Sequence, residues 1–206
     1  MDTLLEVSPR TIVAGATGES PDDIASRLAQ EIDAQIREQF KFTKSSDPGC
    51  LEIFRNQEIE RFNKLIRIIK STLKDLQKAI KGLMVMSLDL ENMYYAFLNK
   101  RVPENWSKAS YLSLKPLGSW VMDLVKRLEF FGNWIEKGNM ESYWISSFFF
   151  PQGFMTATMQ TFARKNVIPI DTLVFRTNIR DFKEDLITVV PEEGSNFKKM
   201  VLKKYF

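Results

Sequence analysis

Between Phe62 and Leu83 the apolar residues Phe62, Leu65, Ile66, Ile69, Leu73, Leu76, Ile80 and Leu83 recur at spacings of three and four. That period puts them on one stripe of an α-helix, a stripe that must be buried against other elements. The opposite face carries Lys64, Arg67, Lys70, Lys74, Lys78 and Lys81. A helix of this kind lies on a packed core with its charged side in water. Gly82 and Ser87 mark a break and the cap of a following helix.

The same logic extends to the rest of the sequence. Ser20 fits an N-cap, Pro21 a first helical residue, and Asp22 and Asp23 the positive helix end. Ile24, Leu28, Ile32 and Ile36 then recur every four residues, which predicts a helix over 21–39. A loop follows through Ser45–Gly49. A helix over 88–99 presents Met93, Tyr94, Phe97 and Leu98, and Pro103 closes it off. Pro116 opens another, with Leu117, Val121, Leu124, Leu128, Phe131 and Ile135 on one face and Gly138 just beyond its end. Short strands are expected at Leu173–Phe175 and Leu186–Val190, with a turn at Pro191–Gly194. The expected fold class is therefore mainly α: antiparallel or stacked amphipathic helices with a small β element at the C-terminal end.

Residues 142–163, SYWISSFFFPQGFMTATMQTFA, contain no charged side chain and are long enough to cross a bilayer. Eight of these 22 residues are Ser, Thr or Gln, and Pro151 and Gly153 stand in the middle. Polar groups and a missing backbone donor at mid-depth are costly in lipid. The cheaper solution is an aromatic segment buried in the protein, with Pro151 opening a helix over 151–165.

Composition removes several chemistries. The sequence has no histidine and one cysteine, Cys50, so Ser-His-Asp and Cys-His nucleophiles and an internal disulfide are excluded. The lone cysteine and the absence of an apolar run after Met1 suit a reducing, cytosolic setting. A net charge of +3, from 29 basic and 26 acidic residues, implies no nucleic-acid partner without a localised patch.

Each candidate site has an ordinary structural reading beside it. TIVAGATGES followed by a capped helix has the layout of a phosphate-cradling loop. However, Gly15 and Gly18 are too close for the phosphate-loop pattern, no lysine neutralises the phosphate, and Glu19, Asp22 and Asp23 would repel it. The Lys64–Lys81 stripe could meet a phosphate backbone or an acidic partner, but its place opposite the apolar stripe is that of a solvated face. No aromatic residue interleaves it to stack bases. Asp89 and Glu91, two apart on a helix, point to different faces, and Asp181, Glu184 and Asp185 fit a solvated loop. Trp106, Trp120, Trp134 and Trp144 are core anchors on the simplest reading. The pairs Lys198-Lys199 and Lys203-Lys204 form a basic tail. No catalytic, cofactor-binding or metal-binding residue is expected.

Several runs, in order, resemble the C-terminal end of a dynein heavy chain. Thr3-Leu-Leu-Glu-Val-Ser-Pro-Arg10 is similar to the end of that motor's last AAA+ module. Gln57-Glu-Ile-Glu-Arg-Phe-Asn-Lys-Leu65, Asp75-Leu-Gln-Lys-Ala-Ile-Lys-Gly-Leu83, Val102-Pro-Glu-Asn-Trp106 and Leu114-Lys-Pro-Leu-Gly-Ser-Trp120 follow. Phe148-Phe-Phe-Pro-Gln-Gly-Phe154, Ala163-Arg164 and Ile168-Pro-Ile-Asp-Thr-Leu173 complete the series. The Phe-Phe-Phe-Pro-Gln form and the Pro-Ile-Asp run are closer to axonemal than to cytoplasmic dyneins.

The resemblance implies a piece of an ATP-driven microtubule motor located in the cytoskeleton of a cilium or flagellum. Residues 1–109 would be the helical small subdomain of the sixth AAA+ module. Residues 110–166 would be the helical start of the C-terminal domain, and 167–206 a short β element with the basic tail. ATP and Mg would bind elsewhere in the motor, as would microtubules. The implied partner is the remainder of the motor ring, with other dynein subunits and microtubules reached indirectly, and with no nucleic acid or membrane. The motifs stop near Asn178, and Asp181–Phe206 carries none of the family's C-terminal β-rich patterns. A free-standing helical interaction protein derived from a motor gene is the alternative.

Overall fold

The structure, a computed structural model, describes residues 20–41, 46–138, 140 and 142–175. Its helices are α1 (Pro21–Gln35), α2 (Cys50–Ile80), α3 (Leu88–Leu98), α4 (Glu104–Ala109), α5 (Leu117–Lys137) and α6 (Pro151–Asn166). Single 3₁₀ turns occupy Ile145–Ser147 and Ile170–Thr172. The mainly helical expectation holds. Among the described residues there is no strand: Leu173 has extended backbone, but Leu173–Phe175 pairs with nothing described. An extended segment becomes a strand only through a partner's ladder, and the expected partner Leu186–Val190 lies outside the described residues, as do the Pro191–Gly194 turn and the basic tail.

The helix ends follow local chemistry. Ser20 caps α1, its Oγ accepting the Asp23 N–H at 3.1 Å. Ser87 caps α3, accepting from the Leu90 N–H. The apolar period of α1 runs to Ile36, but the helix stops at Gln35 and Ile36 turns extended while staying buried. A buried residue at the cap prolongs the pattern beyond the helix.

Three helices close with the same hydrogen bond, from an N–H to the carbonyl five residues back: Leu83 to Lys78 at 2.9 Å, Arg101 to Ala96 at 2.8 Å and Ile168 to Ala163 at 3.0 Å. The residue before each donor is left-handed: Gly82 (φ 71°), Lys100 (φ 54°) and Val167 (φ 53°). Glycine adopts this backbone freely. Thus α3 is ended by Lys100, and Pro103 instead precedes the short α4. Val167 is β-branched and almost fully exposed, so it bears the backbone strain without compensating burial. Val167→Gly is expected to stabilise the protein by about 1 kcal/mol. The check is a higher urea midpoint at unchanged slope.

Two compact units emerge, residues 1–38 with 64–125 and residues 39–63 with 126–206. In the first, α1 packs against α3, and the second half of the α2 stripe (Leu65, Ile66, Ile69, Leu73 and Leu76) is fully buried. The Tyr94 hydroxyl donates to Asp22 at 2.7 Å. Desolvation, reinforced by that carboxylate, pushes the phenol up to about 12. In the second unit the buried apolar residues are mostly aromatic: Phe54, Phe62, Phe131, Trp134, Phe148 and Phe154. No helix among the described residues is long and apolar enough to cross a membrane. Residues 142–163 fold as a 3₁₀ turn followed by α6, with Pro151 in its first turn.

Candidate functional site

The polar centre of the second unit is built on residues 57–63 of α2. Glu58 lies on the apolar stripe of α2 and is fully buried. One carboxylate oxygen accepts the backbone N–H of Phe149 at 2.6 Å. The other is paired with the guanidinium of Arg61, one turn along the helix. Burial pushes the carboxyl above the ordinary range. The Phe149 N–H, the Arg61 charge and the Phe150 N–H pull it back. Both oxygens are committed to the protein's own donors, so Glu58 fixes the Phe148–Phe150 segment to α2.

Asn63 satisfies a second backbone. Its Oδ1 accepts the Phe40 N–H at 2.7 Å and its Nδ2 donates to the Phe40 carbonyl at 2.9 Å. One side chain thereby meets both main-chain groups of a buried residue. Between these two polar residues sits Phe62, its ring centroid 4.8 Å from those of Phe131 and Phe149.

The run Phe148–Phe154 completes the unit. Phe148 lies 5.1 Å from Phe54 and 5.0 Å from Phe154. At Gly153 a Cβ would come within 2.6 Å of a Phe150 ring carbon and 3.2 Å of Phe54. Alanine is the better helix former by about 1 kcal/mol, but overpacking costs about 1–3 kcal/mol. Phe150 is half exposed and can swing, whereas Phe54 is held in the cluster. Gly153→Ala is therefore expected to lower stability by about 1 kcal/mol, measured by chemical denaturation.

In the first unit Trp106 is fully buried, and its indole N–H donates to Thr72 Oγ1 at 2.9 Å. Its ring lies 5.6 Å from Phe97 and stacks 5.8 Å from Trp120. Trp120 in turn stacks on Tyr111. Lys115 holds Asp123 at 2.6 Å, and the Leu117 N–H reaches the Lys100 carbonyl at 2.9 Å, fixing the entry to α5. A cavity of about 440 Å³ opens beside Leu28, Ile32, Pro116, Leu117 and Val121. Its walls are mostly apolar, and Glu31 at its edge is paired with Arg27 at 3.3 Å.

The sequence candidates distribute as follows. Gly15, Gly18 and Glu19 lie outside the described residues, as do Asp181, Glu184, Asp185 and the Lys198-Lys199 and Lys203-Lys204 pairs. Ser20, Asp22 and Asp23 serve α1 and its contact with Tyr94. Trp106, Trp120, Trp134 and Trp144 are all buried, as anchors should be. Asp89 and Glu91 are exposed in the first turn of α3. Cys50 is buried at the start of α2. No group of metal-ligating side chains forms among the described residues. Sequence reasoning assigns no role to Glu58, Asn63 or Thr72. The first two lie within a family-like run, but their partners are backbone groups distant in sequence.

Comparison with known proteins agrees with that run of motifs. The family model for the C-terminal domain of dynein heavy chains matches residues 1–203. Dynein axonemal heavy chain 6 of Homo sapiens is 40% identical over 200 residues, covering 92% of this sequence and 5% of that protein. The Dynein-1-beta heavy chain, flagellar inner arm I1 complex, of Chlamydomonas reinhardtii is 38% identical over 208 residues, covering 98% and 5%. Dynein axonemal heavy chain 1 of Mus musculus is 42% identical over 204 residues, covering 96% and 4%. The 206 residues thus span about one twentieth of the length of these relatives. The family match also runs through residues 178–203, where individual motifs give out, and so corrects the expectation that the pattern departs near Asn178. On this match the protein belongs to the family of dynein heavy chains.

Proposed function

We propose that this protein is a structural and regulatory segment of an axonemal dynein heavy chain, an ATP-driven microtubule motor. It packs against and closes the AAA+ ring and has no nucleotide site of its own. The observation that carries this reading is the match over residues 1–203 to a domain occupying about 5% of each relative. The use of the family-like residues supports it. Glu58, Asn63, Phe62, Trp106 and Trp120 are all spent on internal hydrogen bonds and ring packing.

On this reading residues 1–109 are the small subdomain of the sixth AAA+ module. Residues 110–166 are the helical start of the C-terminal domain, and 167–206 a short β element with the basic tail. ATP and Mg are bound elsewhere in the motor. The direct partner is the remainder of the ring. Other dynein subunits and microtubules are engaged through it, without nucleic acid or membrane, in the cytoplasm and in the axoneme of a cilium or flagellum.

The test is an immunoblot of extract from ciliated cells with an antibody to residues 57–83, the band being confirmed by peptide mass spectrometry. A band of several hundred kilodaltons supports the motor segment. A band near 24.0 kDa overturns it in favour of a free-standing interaction protein.

A further inference from the structure

Among the described residues the solvent side of α2 stands apart as a run of unpaired cations. Lys64, Arg67, Lys74 and Lys78 are exposed along it over about 21 Å, and Lys81 follows in the closing turn. Asp75 is the one carboxylate between residues 61 and 81, and it is half-buried. Among the described residues none of these five cations has a carboxylate partner, whereas Lys70 on the flank is held by Glu38 at 3.0 Å and Asp33 at 3.6 Å. In α1 and α4, by contrast, opposite charges pair one turn apart, as in Arg27–Glu31 and Lys108–Glu104. Lys74 and Lys78, four apart, instead repel one another.

Directly beyond this face the protein exposes apolar side chains. Leu83, Val85 and Leu88 are more than 70% exposed, and Met84 and Met86 more than a third. They form one continuous stretch between the ends of α2 and α3. A basic face ending in a wet apolar loop has the make-up of an interface whose other half is missing.

We propose that this surface docks an acidic segment of the same heavy chain, outside residues 1–206, with carboxylates along about three helical turns and apolar side chains at one end. The proposal rests on the motor reading above, since the relatives are about twenty times as long as the matched part. Charge complementarity sets the acidic character, and the 83–88 loop sets the apolar end. A nucleic acid would find no ring on this face to stack on and would leave the apolar loop wet. A membrane would need the apolar side of α2, which Leu65, Ile69 and Leu73 keep fully buried.

The experiment is zero-length carbodiimide cross-linking of the purified native motor, followed by digestion and mass spectrometry. Such a reagent joins a lysine only to a carboxylate it touches. Lys108 and Glu104, 2.7 Å apart, supply an internal control. The expected result is a link from Lys74 or Lys78 to an Asp or Glu of the same heavy chain outside residues 1–206. In a motor carrying Leu83→Ser and Val85→Ser, that link should fall at least several-fold while the Lys108–Glu104 link persists. If the control link forms and Lys74 and Lys78 are unlinked, or are joined only to Asp75 or to another polypeptide, the proposal is wrong. An unchanged link in the serine variant removes the apolar half. Failure of the motor reading would be seen separately, as a 24.0 kDa species before cross-linking.

Discussion

Trp106→Ala should cost the first unit about 4 kcal/mol, the largest loss expected from any single truncation described above. Three contributions combine. The indole is fully buried, so its removal leaves a cavity as well as lost transfer energy. The rings of Phe97 and Trp120 lose an aromatic neighbour at 5.6 and 5.8 Å. Thr72 loses a donor but retains the carbonyls of Ile68 and Ile69 as acceptors for its hydroxyl, which limits that part of the cost. Trp106→Phe separates the terms. It keeps most of the packing and gives up the hydrogen bond, at about 1–2 kcal/mol. A Phe variant as damaged as the Ala variant in urea unfolding would show that the indole N–H, and not the ring, dominates.

Glu58→Ala is expected to cost about 3 kcal/mol. The change removes the carboxylate that accepts the Phe149 N–H, at about 1–3 kcal/mol, and adds a small cavity. Arg61 is partly exposed and can turn to water, so its loss of a partner adds little. The pH dependence has a definite sign. Burial raises the Glu58 carboxyl in the folded state above its ordinary 4.5. Its contribution is therefore fully present below that value and is lost as pH rises through the folded-state value. Glu58→Gln has no such titration. Unfolding free energies measured from pH 4 upward should thus fall more steeply for the parent than for the Gln variant. Parallel curves would mean the carboxylate is as easily charged inside as in water.

Glu58 also explains what the sequence concealed. The stripe is legible from Phe62 onward, yet α2 begins at Cys50, and Phe54, Glu58 and Phe62 continue the same face. A carboxylate in the stripe interrupts the hydrophobic period. Its partner stands 91 residues away, where no local pattern connects them. Six-residue α4 is too short to show a period, and Pro103 before it reads in the sequence as the stop of α3. In α1 the buried seam includes Ala25 and Ala29, while Leu28 turns partly towards the cavity, so the larger residues misplace the face slightly.

Helix identities and caps, by contrast, follow from nearest neighbours: Ser20, Pro21, Ser87, Gly138 and Pro151 each act within one turn of where they stand. The Glu58 and Asn63 contacts are invisible for the opposite reason. Each is a bond from a side chain to a main-chain group, and every residue but proline offers the same main-chain donor.

The placement of the four tryptophans has an optical consequence. Trp106 and Trp120 lie in one compact unit, Trp134 and Trp144 in the other, and all are shielded from water. Intrinsic fluorescence therefore carries one reporter pair per unit. Silencing either pair with phenylalanine leaves the emission of the other, so loss of structure can be followed in each half of the protein without attaching a dye.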